Sequence, residues 1–200
     1  MFSSYLIIIA ILLALELGYF AVARRAGIAD RQNERSSHRG EVLSGGGVVF
    51  LFGAWIWAAF FGLQYPWFLA GLTIIAAVIF IDDVHSLPDG IRLVVHFVAM
   101  ALMFKELGIL QWNLWWAVIL ALVVCVGATN IYNFMDGING ITAGYSLAVL
   151  VPLFLLNRMS DVAGSFVNGN LIVVIIIAVL LFGLFNFRTK GKAKCFAGDV

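Results

Sequence analysis

Seven apolar runs dominate the sequence and limit the folds open to it. They lie at about 5–23, 46–63, 66–81, 91–104, 114–129, 141–156 and 171–187. A helix needs about 20 such residues to cross a bilayer. Because 63% of the 200 residues are hydrophobic and only 12% are charged, an ordinary water-soluble domain is not expected. The sequence predicts an all-α fold, a polytopic transmembrane helical bundle of about seven spans, in which the short third, fourth and sixth runs extend into their loops.

The distribution of Lys and Arg between alternate loops orients this bundle. Only Lys105 and Arg158 fall on one side, and the other ten cations fall on the opposite side. By the positive-inside rule the side with ten cations faces the cytoplasm, and the N-terminus faces the periplasm. The acidic loop residues follow the same division, so a cytoplasmic site is expected. The ten cations are Arg24, Arg25, Arg31, Arg35, Arg39, Arg92, Arg188, Lys190, Lys192 and Lys194.

The first apolar run carries an acidic residue, Glu16, at an unusual depth. The run lacks a basic start and a small-residue cleavage site, so we interpret it as a retained helix and not as a signal peptide. For Glu16 we favour a helix-packing contact over a functional role. Cys125 and Cys195 indicate neither a disulfide framework nor a zinc site.

Two adjacent carboxylates, Asp82 and Asp83, close the run GLTIIAAVIFIDD. They repel each other at a helix C-terminus, where the helix dipole already presents partial negative charge. The functional interpretation is that a divalent cation, a basic residue or a proton offsets this repulsion, as in phosphoryl-transfer sites. The alternative is a pair of solvated loop acids. Ser86 and Asp89 are better placed to cap the helix that enters at Ile91.

The stretch NIYNFMDGING places Asn130, Asn133 and Asp136 at a spacing of three. This spacing keeps two amides and a carboxylate on one broad helical face at the cytoplasmic mouth, and the two asparagines are candidate substrate-binding residues. Such oxygen ligands suit Mg²⁺, which binds through one or two carboxylates and substrate phosphates. Gly137 and Gly140 allow close backbone approach and a helix break. In the alternative, Asp136 caps the following helix and the asparagines satisfy neighbouring backbone groups.

The loop RSSHRGEVLSGGG is rich in groups that bind phosphate. Arg35, His38 and Arg39 precede a glycine run around Gly46, and the next helix begins with an N-terminus able to receive an anion. These four residues are therefore candidate substrate-binding residues. Headgroup binding by the arginines and helix packing by the glycines are the alternatives. A P-loop is excluded because no Gly-Lys-Ser/Thr follows.

The histidines and the C-terminal tail offer weaker signals. His85 and His96 lack a partner at metal-ligand spacing, and His96 lies one turn beyond Arg92 on the same face. A hydrogen-bonded interior role for His96 is at least as well supported as a catalytic one. The tail FRTKGKAKCFAGD carries four cations before Asp199, which is also typical of a positive-inside flank.

Together, DDVHSLPDGIR, NIYNFMDGINGITAGYS and the terminal GDV resemble the polyprenyl-phosphate N-acetylhexosamine-1-phosphate transferases, and RSSH…GGG resembles their first cytoplasmic loop. The resemblance covers residues 1–200 and is greatest to the branch that initiates O antigen. It implies a multi-pass enzyme of the bacterial inner membrane that transfers a sugar 1-phosphate from a UDP-sugar to undecaprenyl phosphate and releases UMP. It also implies Mg²⁺, or Mn²⁺ in its place, contact with membrane lipid, no nucleic-acid partner, and compatibility with a homodimer.

The resemblance also assigns roles to single residues. Asp82 matches the carboxylate near the lipid phosphate, which acts as a base or positioning group, and Asp83 matches its partner. Asp136 matches the acidic residue of the asparagine motif, with catalytic and metal-binding roles, and Asn133 stands beside it. Asp199 matches a metal ligand. We expect these side chains to converge around one cleft.

Two positions depart from the family pattern. Asn139 stands where the family has a second aspartate in Asp-Gly-x-Asp-Gly, which removes one formal charge. The sequence stops at Val200, where the family continues with Gly-Ser, further helices and a His-rich loop implicated in nucleotide-sugar binding. We therefore expect residues 1–200 to form a single transmembrane transferase domain that lacks its C-terminal third, inserts with seven spans and does not catalyse.

Two other classes of protein compete with this interpretation. A CDP-alcohol phosphotransferase is also a membrane Mg²⁺ enzyme, but its Asp-Gly-x-x-Ala-Arg signature is missing here. An ion-coupled transporter would relay ions through acids within its spans. The acidic residues instead gather at one membrane face, with Glu16 as the exception.

Overall fold

The structure, a computed structural model, describes residues 2–30, 42–84, 87–110, 112–135, 138, 140–159, 166–187 and 194–197. Seven α-helices in this part of the chain follow the seven apolar runs. The third, fourth and sixth extend beyond their runs, as predicted. The helices are α1 (Phe2–Ala26), α2 (Val48–Phe61), α3 (Pro66–Val84), α4 (Asp89–Glu106), α5 (Trp115–Met135), α6 (Ile141–Met159) and α7 (Gly169–Asn186).

Four of the described helices, α1, α5, α6 and α7, are long and apolar enough to cross a membrane. The α2 helix and most of α3 form shorter apolar helices. The chain is therefore a multi-pass membrane protein built as a helical bundle. Crossing by α2, α3 and α4 stays a prediction.

A short antiparallel pair of strands adds to the predicted all-α fold. The strands β1 (Ala29–Asp30) and β2 (Val42–Leu43) pair Ala29 with Leu43. Leu43 also forms an isolated parallel bridge with Cys195. The tail thus lies beside the segment that leads into α2.

Helix α7 lies in the centre of the bundle and packs against α1, α2 and α6. It is apolar around its whole circumference, as expected of a helix surrounded by others. The Phe182 ring meets Phe50 of α2 edge to face, with centroids 5.3 Å apart. The Phe185 ring meets Phe20 of α1 in the same way at 5.0 Å. These aromatic contacts fix the ends of α1, α2 and α7 relative to one another.

Helices α3 and α4 form a close antiparallel pair. A Cβ at Gly71 would lie 2.9 Å from the Ala99 carbonyl oxygen, so a glycine is needed for this approach. At the start of α3, Glu106 Oε2 accepts hydrogen bonds from the backbone N–H groups of Trp67 at 2.6 Å and Phe68 at 3.1 Å. These are donors that the first turn of a helix leaves without intrahelical partners. The pair is thus anchored at the end opposite to Asp82.

Candidate functional site

One end of the bundle carries the predicted motifs. At this end α1, α3, α5 and α7 finish and α2, α4 and α6 begin. We call it the motif end. Contacts between chain segments that are far apart in sequence show that these termini meet.

Asp82, near the end of α3, is paired with Arg92 of α4. Its Oδ2 lies 3.2 Å from Arg92 Nη1, and 9% of the Asp82 side chain is exposed against 31% of the Arg92 side chain. Asp82 Oδ1 accepts a hydrogen bond from Leu87 N at 2.6 Å. A basic residue therefore offsets the negative charge at this helix end, which is one of the three means that the sequence indicated.

The predicted cap of α4 is wrong for Asp89. Pro88 occupies the N-cap position without a side-chain cap, and Asp89 is the first helical residue. The carboxylate of Asp82 reaches the chain just ahead of α4 instead, through Leu87. The proline fixes the backbone entering the helix, but its ring offers no acceptor to the N–H groups of the first turn.

The asparagine motif begins in the last turns of α5. Asn130 Nδ2 donates a hydrogen bond to Val126 O at 2.8 Å, the backbone-satisfying role that the alternative assigned to it. Asn133 lies in the last turn of α5 and Asp83 in the last turn of α3, but their side chains lie outside the described part. Substrate contact by the asparagines stays a prediction.

Gly46 lies against the C-terminal tail. Its N–H donates to Phe196 O at 2.8 Å, and the N–H of Gly47 donates to Ala197 O at 2.9 Å. A Cβ at Gly46 would lie 2.9 Å from Cys195 Sγ and 3.0 Å from Phe196 O. The glycine permits close backbone packing, as the alternative predicted, and its contact with a substrate stays a prediction.

Gly45 connects this glycine segment to α1 and α3. It adopts a left-handed conformation with φ of 77°, which glycine accepts without steric cost. Tyr19 Oη donates to Ser44 O at 2.6 Å. A Cβ at Gly45 would overlap the Tyr19 hydroxyl and lie 3.8 Å from Phe80 Cε2. Since Phe80 is two residues ahead of Asp82, the glycine segment lies near the end of α3.

Tyr132 ties the end of α5 to the start of α6 across the asparagine motif. Its hydroxyl donates to Thr142 O at 3.1 Å and bonds to Ser146 Oγ. Its ring meets Tyr145 edge to face, with centroids 5.4 Å apart. Tyr132 was not among the predicted site residues, although its position between the two motif asparagines was a usable signal in the sequence.

Asn186 joins the asparagine motif to the tail. This last residue of α7 is fully buried. Its Oδ1 accepts from Gly140 N at 2.7 Å, and its Nδ2 donates to Cys195 O at 3.0 Å. Gly140 has φ of 81°, and a Cβ there would overlap the Phe187 ring. The signal for Asn186, a lone amide closing a wholly apolar run, was not used.

Five predicted site residues lie outside the described part of the chain, and their placement stays a prediction. The structure brings to the motif end the segments beside two of them, Gly140 after Asp136 and Cys195 to Ala197 before Asp199. The described residues contain no group of three His, Cys, Asp or Glu side chains able to hold a metal ion. The residues outside the description are Arg35, His38, Arg39, Asp136 and Asp199.

Two buried polar side chains lie farther from the motif end. His96 is 2% exposed, and its Nδ1 lies 2.7 Å from Arg92 O. Because a carbonyl only accepts, Nδ1 donates, which confirms the predicted hydrogen-bonded interior role. Glu16 is fully buried, and neither carboxylate oxygen has a hydrogen-bond partner within the described chain. Its burial in α1 fits the predicted packing contact.

Comparison with known proteins adds two findings. The family described as glycosyl transferase family 4 matches residues 65–200. The chain is also similar to a probable undecaprenyl-phosphate N-acetylglucosaminyl 1-phosphate transferase of Bacillus subtilis (strain 168), with 25% identity over 195 residues. That match covers 90% of this chain and 52% of the relative, so the chain spans about half the length of the curated relative it matches.

Proposed function

The chain belongs to glycosyl transferase family 4, and we propose that it takes part in transfer of a sugar 1-phosphate to undecaprenyl phosphate. The donor is a UDP-sugar, an N-acetylhexosamine derivative, and the leaving group is UMP. The name of the Bacillus relative supports the lipid acceptor and the N-acetylhexosamine. The wording of the asparagine motif supports a role in starting a surface polysaccharide such as O antigen.

The observation that carries this proposal is the meeting of separate motif segments at the motif end. The glycine segment contacts the tail through Gly46 and Phe196. The tail contacts the asparagine motif through Asn186. The α3 end that bears Asp82 comes near the glycine segment through Phe80. In a transferase, the segments that carry phosphate-binding and metal-binding residues are expected to meet in this way.

The reaction fits the charges of these segments. An oxygen of the lipid phosphate attacks the β-phosphorus of the UDP-sugar, the bond to the α-phosphate oxygen breaks, and UMP leaves. Several negative charges meet, so positioning and charge neutralisation determine the barrier. Asp82 is oriented in advance by Arg92 and the Leu87 amide, which suits a base or a positioning group for the lipid phosphate. Arg35, His38 and Arg39 bind the diphosphate in this proposal.

The proposed metal is Mg²⁺, or Mn²⁺ in its place, and Asp136 and Asp199 would hold it. Carboxylate oxygens suit both the charge and the hardness of these ions. The segment after Asp136 and the segment before Asp199 are bonded to the same Asn186 side chain, which supports a shared site. A bound ion would offset the charge of the donor diphosphate.

We place the motif end at the cytoplasmic face of the bacterial inner membrane. The ten-to-two division of Lys and Arg supports this orientation. A site at the bilayer surface also suits a reaction between a polyprenyl phosphate held in the membrane and a water-soluble nucleotide sugar.

The test is UMP release by the protein expressed from its complete gene. Purified protein is mixed with undecaprenyl phosphate, Mg²⁺ and a panel of UDP-sugars, and matched reactions omit the lipid or contain a chelator. We expect UMP only when lipid, metal and one UDP-N-acetylhexosamine are all present. Release of CMP from a CDP-alcohol, with no UMP from any UDP-sugar, would replace this proposal with the alcohol phosphotransferase.

A further inference from the structure

We infer that Asn186 is a positioning residue that holds the asparagine motif and the C-terminal tail in a fixed relation. Through this link it would set the relative positions of Asp136 and Asp199, which lie beside the two contacted segments. The link itself follows from the described contacts, whereas its effect on metal binding and transfer rests on the proposed function.

Both functional ends of the Asn186 amide are used, and they bond different segments. The Oδ1 accepts from Gly140, which is 46 residues away in sequence, and the Nδ2 donates to Cys195, which is 9 residues away. A side-chain amide is both acceptor and donor at fixed geometry. A fully buried Asn186 therefore sets a distance between these two segments.

The tail that Asn186 holds is also bonded on its other side. Phe196 N donates to Leu43 O at 2.9 Å, and Gly46 N donates to Phe196 O at 2.8 Å. Lys194 N donates to Phe185 O at 3.0 Å. The tail is thus a strap between α7 and the glycine segment, and Asn186 extends this hydrogen-bonded unit to the asparagine motif.

Asn157 provides a matched comparison at the opposite end of the bundle. It is 6% exposed, and its Nδ2 donates to Val167 O at 2.8 Å. Its Oδ1 accepts from Phe166 N at 3.1 Å and from Val167 N at 3.2 Å. These three contacts fall in one neighbouring segment, whereas the two contacts of Asn186 join separate segments.

The bridge matters because Mg²⁺ requires near-ideal octahedral geometry. Two carboxylates on separate segments meet this requirement only if the segments keep their spacing. Small misplacements of positioned groups also lower transfer rates strongly. A change that frees only the tail should therefore weaken metal binding even though the asparagine motif stays anchored.

Asn186→Asp tests the two hydrogen bonds of Asn186, to Gly140 N and to Cys195 O, one at a time. The ionised carboxylate still accepts from Gly140 N but has no proton to donate to the Cys195 carbonyl oxygen, so the hydrogen bond to the tail is lost. A protonated carboxyl would restore that bond, and the variants are therefore compared at alkaline pH, where the carboxyl is ionised. Asn186→Leu removes both hydrogen bonds. The matched control is Asn157→Asp, which changes a buried amide in the same way far from the motif end.

The native Cys195 thiol reports on the tail, because it is fully buried. In a Cys125→Ala background, a charged methanethiosulfonate should modify Cys195 slowly in the parent. In Asn186→Asp we expect modification roughly ten- to hundredfold faster, the factor that corresponds to losing one buried hydrogen bond. Asn157→Asp should keep the parent rate. An unchanged rate in Asn186→Asp would overturn the link.

Hydrogen exchange covers the case in which a variant fails to fold. In the parent protein the Gly140 amide should be protected, and in Asn186→Asp exchange should rise in the tail but not at Gly140. In Asn186→Leu it should rise in both segments. Exchange of the parent Gly140 amide at the rate of an unprotected amide would refute the inference without any variant.

Metal binding is measured with Mn²⁺ alone, by electron paramagnetic resonance. Asn186→Asp should weaken Mn²⁺ binding by roughly tenfold, the lower end of the loss expected when a group that positions a metal ligand is removed. Unchanged Mn²⁺ affinity with a released tail would overturn the metal-positioning step. If the tail and Mn²⁺ respond as expected but the complete protein releases no UMP, the proposed reaction fails while the positioning role stands.

Discussion

At the scale of single residues, Asp82 has both a structural and a chemical explanation. Its contacts to Arg92 and Leu87 N fix the junction of α3 and α4. Partly exposed ion pairs contribute about 0 to 1 kcal/mol to stability, so the pair alone contributes little to the fold. The same contacts hold the carboxylate in one orientation, which a positioning group requires.

Asp82→Asn should therefore lower UMP release far more than it lowers the melting temperature. The amide keeps an oxygen for Leu87 N but loses the charge, and loss of a general base costs on the order of 10²- to 10⁴-fold in turnover. Arg92→Lys keeps the opposite charge and serves as the control. If both variants retain parental turnover at saturating Mg²⁺, the contact of Asp82 with Arg92 is structural only.

Asp136→Asn tests the residue whose position the structure does not describe. The substitution exchanges a carboxylate for an amide of nearly the same size and removes only the charge, so the melting temperature should hardly change. Turnover should fall, and the Mg²⁺ concentration for half-maximal rate should rise, because a ligand has lost its charge. Parental turnover at saturating Mg²⁺ would show that the resemblance assigned this role wrongly.

Glu16→Leu tests the packing role of the buried acid in α1. Neither Glu16 carboxylate oxygen finds a partner in the described chain, and burying an unpaired polar group costs about 1 to 3 kcal/mol. The variant should melt at a higher temperature and keep its UMP release. A stable variant with strongly reduced release would give Glu16 a functional role instead.

At the scale of elements, the sequence predicted the seven helices because each helix coincides with a long apolar run. The length and hydropathy of such a run can be read directly from the sequence. It did not predict β1, β2 or the strap at residues 194–197, since these are backbone pairings of short segments without a periodic pattern. Asn186 escaped notice for a related reason. One amide beside an apolar run acquires meaning only when its two distant partners are known.

Gly46→Ala should loosen the strap, whereas Gly18→Ala should not. A Cβ at Gly46 would press on Cys195 Sγ and Phe196 O, but a Cβ at Gly18 in α1 would meet nothing within 4 Å. Overpacking of this kind costs about 1 to 3 kcal/mol. The melting temperature should fall and Cys195 labelling should become faster in the Gly46 variant, whereas Gly18→Ala should show neither change, because alanine in the interior of α1 favours the helix. Equal behaviour of the two variants would contradict the close packing of the strap.

At the scale of the whole molecule, alternation of helix direction explains why a common end for the motif-bearing segments could be predicted from the sequence. Every second helix end falls at the same end of the bundle, so the described residues that follow α1, α5 and α7 meet there through Gly46, Gly140 and Cys195. The same counting divides the cations ten to two. Which side chains face one another depends on packing that loop counting does not contain, as the pairing of Asp82 with Arg92 shows.

Crossing of the membrane by α4 is a prediction that can be tested directly. Its 18 residues span about 27 Å as a helix, close to the hydrocarbon thickness of a bilayer. Gly90 and Leu110 are exposed positions at its two ends. In a protein without native cysteines, Gly90→Cys should react with an impermeant maleimide only in inverted vesicles, and Leu110→Cys only in spheroplasts. Labelling of both from one side would mean that α4 does not cross, and a reversed pattern would move the motif end to the periplasm.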